Sequence, residues 1–307
     1  MPSLRDRLRT LTTALLGSAG GPREAGPPRS ANGASSFHLA WEMPRAQRAG
    51  QGRGRGAVRE PAARLVEVSV VLEVLIPPRV SALYFWALQV DFLDGGLLWG
   101  GGHTGLQWNR RFSQGTAVNW GGYATQERGG AILAGSSPLL PAFSGDPNTM
   151  AYEWRSGRPY RLRVHRSPDA PGAWRAEVTD MTTGTATVLR DLLRAGERPG
   201  GGLLRGAAGA LEHKAYLRSP IVWSEVFADC DAPSVVVRWS DLKGEAEDGE
   251  LVYPEAVRVN YQSAHDGGCA NTTVRRDEKG ILQITNAPRE VEQGTRLSLG
   301  AGDPVED

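Results

Sequence analysis

The chain has 307 residues, 40% of them hydrophobic and 22% charged, with 39 glycines, 20 prolines and a formal charge of +1. That composition is globular, which excludes wholesale disorder, and it carries too many helix breakers for a bundle of long helices. No net field recruits nucleic acid or a membrane surface, and no apolar run reaches the ~20 residues of a membrane span.

At the N-terminus, Leu4, Leu8, Leu11 and Leu15 share one helical face. A short amphipathic helix is expected there rather than a signal peptide, because Thr12, Thr13 and Gly17 dilute the apolar core a signal needs. The compartment, cytoplasmic or secreted, stays open. Residues 17–36 are rich in Gly, Pro, Ser and Ala and read as a linker. Residues 1–36 are therefore expected to form a helical or disordered extension, 37–300 one domain, and 301–307 a tail.

The domain opens with an alternating stretch in which Phe37, Leu39, Trp41 and Met43 face one way. A basic, Gly-rich insertion at 45–57 interrupts it, read as a surface loop rather than a phosphate-binding segment. The clearest pattern follows: Val66, Val68, Val70, Leu72, Val74 and Ile76 recur at period two, which predicts a strand with one buried face. Pro77 and Pro78 end it. A second long strand is predicted from Tyr84, Trp86, Leu88, Val90 and Phe92, with Phe85, Ala87, Gln89 and Asp91 on its other side. Shorter strands follow at 106–109, 116–120, 160–165, 174–179, 186–189, 221–227, 234–239, 256–261, 282–285 and 296–299, separated by Gly, Pro and Asp clusters. Helical pattern is confined to the N-terminus and to 187–195 or 206–216. Strands without alternating helices indicate an all-β fold, and their number suits a two-sheet jelly-roll sandwich. Cys230 and Cys269 form either one disulfide or two buried thiols; a bridge would close a loop of about 39 residues, worth roughly 4 kcal/mol.

The segment YFWALQVDFLDGG, then GGHTGLQWN with Gly105, Leu106, Gln107 and Asn109, then AVNWGGY, and later YEWRSGRPYRLRV with Trp154, Gly157, Tyr160 and Arg161, resembles a bacterial domain family of unknown function. The resemblance covers roughly residues 80–190. It implies a concanavalin A-like (lectin/glucanase-type) sandwich and no established activity.

Strand parity supplies the candidate site. If the even positions of 84–92 are buried, Gln89 and Asp91 point the opposite way; by the same rule Gln107, Asn109 and Asn119 oppose Leu106, Trp108, Val118 and Trp120. Amides and a carboxylate on one face suit sugar hydroxyls, which both donate and accept hydrogen bonds. Trp99, on a Gly-rich loop at 95–105, offers a flat platform for a sugar ring. The expected function is therefore a non-catalytic carbohydrate-binding module with a glycan partner. One alternative is a carbohydrate-active hydrolase or lyase using Asp91 or Glu225; another is a structural or interaction domain with no small ligand. Glu153 is a further isolated carboxylate, and the lyase reading lacks its His, since Asp91 stands where one is needed. Calcium is a possible cofactor through the oxygens of Asp91, Asp94, Asn109 and Asn119, although no ligand spacing supports a metal site. His103 reads as a loop histidine. Arg161, Arg163, His165 and Arg175 share one face and read as a solvated stripe balanced by acids. Oligomeric state is not legible.

Overall fold

The computed structural model describes residues 23–44, 63–94, 97–124, 134–135, 148–193 and 215–300. The expected N-terminal helix, the insertion at 45–57, the stretch 206–214 and the tail lie outside them. The strands run in chain order as β1 (Ser35–Glu42), β2 (Leu65–Ile76), β3 (Tyr84–Asp94), β4 (Leu97–Trp108), β5 (Thr116–Ala124) and β6 (Ala134–Gly135). They continue as β7 (Thr149–Ala151), β8 (Pro159–Arg166), β9 (Trp174–Asp180), β10 (Thr185–Leu193), β11 (Ala215–Val226) and β12 (Val236–Ala246). The last are β13 (Leu251–Val252), β14 (Ala256–Tyr261), β15 (Thr272–Asp277), β16 (Gly280–Thr285) and β17 (Arg296–Ser298). No helix among the described residues is long and apolar enough to cross a membrane. The helical pattern read over 187–195 is overturned as far as Leu193, because those residues pair with β9 as strand β10.

The strands stack as two antiparallel layers. The front layer has the order β17-β14-β1-β11-β3-β4-β5-β7. The back layer has the order β15-β16-β12-β2-β8-β9-β10-β6, with β13 also on β12. A single register pair, Leu217 with Leu65, joins them. One apolar cluster fills the space between: Trp86, Leu88 and Val90 from β3 meet Val70 and Leu72 from β2, Leu162 from β8 and Trp239 from β12. Each such side chain, fully withdrawn from water, contributes on the order of 2 kcal/mol before its ordering cost. The period-two reading of β2 holds at Val68, Val70, Leu72 and Val74; it fails at Val66, where Leu65 is the buried residue instead, and at Ile76, which is exposed at the strand's end.

Residues 23–34, read from sequence as the end of a linker, are tied to the domain. Arg23 bridges Cys269, and the Cys230 amide donates to the Gly26 carbonyl at 2.8 Å. Cys230 and Cys269 form a disulfide, which settles the open alternative.

Candidate functional site

Because facing residues of an antiparallel pair share a face, the ladder registers assign the outer side of the front layer row by row. One row reads Gln107, Phe85, Glu225, Ser36 from β4 through β3 and β11 to β1. The next reads Asn119, Gly105, Ala87, Trp223, His38, beginning on β5. Then come Gly121, His103, Gln89, Ile221 and Ala40, and finally Tyr123, Gly101, Asp91 and Arg218. Parity thus places Gln89, Asp91, Gln107 and Asn119 on one face, as the alternation predicted.

Sharing a face does not make them a shared site. Gln107 is only 4% exposed and accepts the Asn109 side-chain amide at 2.9 Å; Asn119 is 6% exposed and donates to Thr149 Oγ1 at 2.8 Å. These amides form internal contacts at the end of β4 and beneath β7. Trp99 does not lie on a loop. It sits in β4 at the register shift between Phe92 and Leu93, where the extra residue reverses the local alternation. Its ring turns inward and stacks on Phe92, centroids 5.0 Å apart. His103 is likewise a strand residue of β4, against Phe85 and Trp223. The calcium reading fails on register. Asp91 faces Gly101, Asn119 faces Gly105, and Asn109 lies beyond the end of β4, so the oxygens spread over more than about 20 Å along that strand. Among the described residues no three of His, Cys, Asp and Glu gather as metal ligands. Glu153 is exposed and paired with Arg155. The basic stripe is balanced: Arg163 meets Glu67 and Glu177, Arg161 meets Asp241, and Arg175 meets Asp169 and Asp191.

What remains on the outer face is an open groove of about 620 Å³. Phe85, Ala87 and Trp223 make its apolar floor, with Ile221 packed against them. Phe85 meets Trp223 edge-on at 4.8 Å, and His38 meets the other side of Trp223 at 6.3 Å. At one end stands Glu225, which accepts the Asn32 side-chain amide at 2.7 Å. Burial holds the Glu225 proton on above the ordinary glutamate range, and the Asn32 bond opposes this only in part. Burial also pushes the His38 pKa down, favouring neutral imidazole. At the other end stands Asp91, raised by burial despite the Ser219 hydroxyl and the Arg218 charge. Ser219 has φ of +50° within a bulge of β11, where two residues, Ser219 and Pro220, oppose one on β3. Gln89 lies between the two ends and accepts the Trp223 indole N–H on its Oε1. Sequence reasoning missed His38, Asn32 and Trp223 as groove residues. The even-odd pattern of FHLAWEM did put His38 outward; the neighbour it meets there is 185 positions away.

Asp91 and Glu225 do not form a hydrolytic carboxylate pair. Glu225 faces Phe85, six residues from Asp91 on β3, or about 20 Å, whereas glycoside hydrolysis needs roughly 5–9.5 Å.

No protein-family model matches the chain, and no curated protein matches it. Among solved structures it is similar to scytalidoglutamic peptidase with a peptide-based transition-state analogue, at TM-score 0.38 and 10% identity over 82% of this chain and 98% of that one. It is also similar to SCP-B, a member of the eqolisin peptidases in complex with the tripeptide Ala-Ile-His, at TM-score 0.36, 10% identity and the same coverage. The expected carbohydrate-binding module, and with it the carbohydrate-active enzyme, is therefore corrected. Three of its amides, Gln107, Asn109 and Asn119, are covered, its tryptophan is in the core, and its carboxylates are too far apart.

Proposed function

We propose that the outer groove is a hydrolytic site for an extended peptide, with Glu225 and His38 as its acid–base pair. The observation that carries this is their juxtaposition. Glu225 faces Ser36 and His38 faces Trp223, so the two lie on neighbouring strands, two residues apart in register, on the same face at the mouth of an open groove. Diagonal neighbours of this kind have Cβ atoms within about 7–8 Å, which leaves room for a water or a reacting carbonyl between their side chains. Protonated Glu225 is an acid for a leaving nitrogen, and neutral His38 is a base for an attacking water. Burial favours each of those two forms over its charged counterpart.

The groove fits a chain rather than a small molecule. It follows β3 from Phe85 to Asp91, about 20 Å, the length of six extended residues. The Gln89 amide oxygen is engaged by Trp223, which leaves its N–H donors for a carbonyl of the bound chain. The two antiparallel layers also support, as part of this proposal, a jelly-roll arrangement of the concanavalin A-like type.

A second reading, peptide binding without cleavage, is favoured by one observation. Glu225 Oε1 is already occupied by Asn32, and Gln107, in the same row, is turned onto Asn109. Mass spectrometry of a mixed peptide library incubated at pH 4–7 separates the two. The wild type is expected to cleave, with Glu225→Gln and His38→Gln each slower by about 100-fold or more. A wild type that binds peptides and cleaves none at any pH removes the hydrolytic reading.

A further inference from the structure

The groove has a second polar end that hydrolysis at Glu225 does not use. In its last row, Tyr123 and Asp91 stand on either side of Gly101. Because glycine has no side chain, a slot lies between the phenol ring and the carboxylate. The neighbouring glycines have a packing reason. A Cβ on Gly100 would come within 2.4 Å of the Tyr123 carbonyl, and one on Gly102 within 2.8 Å of Phe92 and Trp120. At Gly101 the contact is looser but still tight, with the Val90 carbonyl oxygen 3.1 Å away; the next atom is Asp91 Oδ1 at 3.5 Å, so the carboxylate overhangs the slot.

Three further features define what fits. Leu98 and Tyr123, 49% and 53% exposed, give the rim apolar surface. Asp91 takes a hydrogen bond from the Ser219 hydroxyl on the β11 bulge, and Arg218 opposite it attracts the carboxylate without closing to ion-pair distance among the described residues. The residues lining the groove include Asp91 and Glu225 but neither Lys nor Arg. We infer that this slot is a subsite for the side chain of a lysine or arginine in the bound peptide. The aliphatic stem lies along Leu98 and the cation sits between Asp91 and the Tyr123 ring. The inference rests on the groove being a peptide site, not on cleavage. At about 3.3 Å per residue, the basic residue lies five or six positions from the bond next to Glu225.

The test is fluorescence anisotropy of labelled alanine–serine decapeptides carrying one lysine, or norleucine or glutamate at the same position, with the full chain and with Asp91→Asn. The lysine peptide is expected to bind the wild type at least tenfold more tightly than the norleucine peptide, and the glutamate peptide most weakly. Asp91→Asn is expected to abolish the lysine preference while keeping norleucine-peptide binding. Equal binding of lysine and norleucine peptides by the wild type, or a preference that survives Asp91→Asn, overturns the subsite and leaves the groove reading intact. Binding of none of the peptides overturns both.

Discussion

The indole nitrogen of Trp223 donates to Oε1 of Gln89 across 3.2 Å, linking residues 134 positions apart on β11 and β3. One ring of Trp223 thus floors the groove while its edge sets the direction of the amide above it. An amide whose oxygen is engaged presents its nitrogen to the ligand. Replacing Trp223 by Phe keeps an aromatic floor and removes the donor. Peptide affinity is expected to fall several-fold, with a loss of fold stability of about 1 kcal/mol for the missing bond. Parallel titration calorimetry and urea melts read the two effects; unchanged affinity would show that Gln89 does not contact the ligand.

Glu225 and His38 give opposite pH dependences of stability. The folded pKa of Glu225 is raised, so its contribution is most favourable at low pH and is lost as pH rises from the ordinary glutamate range through the raised value. Glu225→Gln is therefore expected to be more stable than the wild type at pH 7, with the difference shrinking in acid. The folded pKa of His38 is lowered, so the wild type loses stability as pH falls through the ordinary histidine range toward that lower value. His38→Gln is expected to flatten that loss. Urea midpoints from pH 4 to 8 for the three proteins check both signs.

Gly105 is required by the close approach of β4 to β3. A Cβ there would lie 1.9 Å from the Trp86 carbonyl oxygen, a backbone atom that cannot swing away. Gly105→Ala is expected to cost on the order of 3 kcal/mol or more, seen as a lowered urea midpoint, because the central ladder has to part. A midpoint within error of wild type would contradict the pairing of Gly105 with Ala87.

The Cys230–Cys269 bridge closes 39 residues and pins the 23–34 segment beside it. Replacing both cysteines by alanine is expected to cost about 4 kcal/mol by the chain-entropy account. The groove lies on another part of the front layer, apart from Asn32 at its edge. Peptide binding is thus expected to survive at temperatures where the variant stays folded. Differential scanning calorimetry with and without peptide would show this.

Alternation along a strand is a local property, so the sequence determined a good deal. Tyr84 to Phe92 announced which side of β3 enters the core, and the same count put Gln89, Asp91, Gln107 and Asn119 on the other side, where the registers place them. Composition and breaker spacing likewise led to an all-β chain. The errors fell where local counting stops working. Trp99 sits at a register shift, which reverses parity without any mark in the sequence. Gln107 and Asn119 have the right parity, but Asn109 and Thr149 cover them.

Tertiary structure alone decided the site. Which strands lie side by side depends on pairings between residues far apart in the chain, whose closure is settled by the burial of the whole core rather than by any one segment. That burial put β1 against β11, and so brought His38 beside Trp223 and Asn32 onto Glu225. It also left Asp91 about 20 Å from Glu225, at the opposite end of one groove, because six residues of β3 separate their rows.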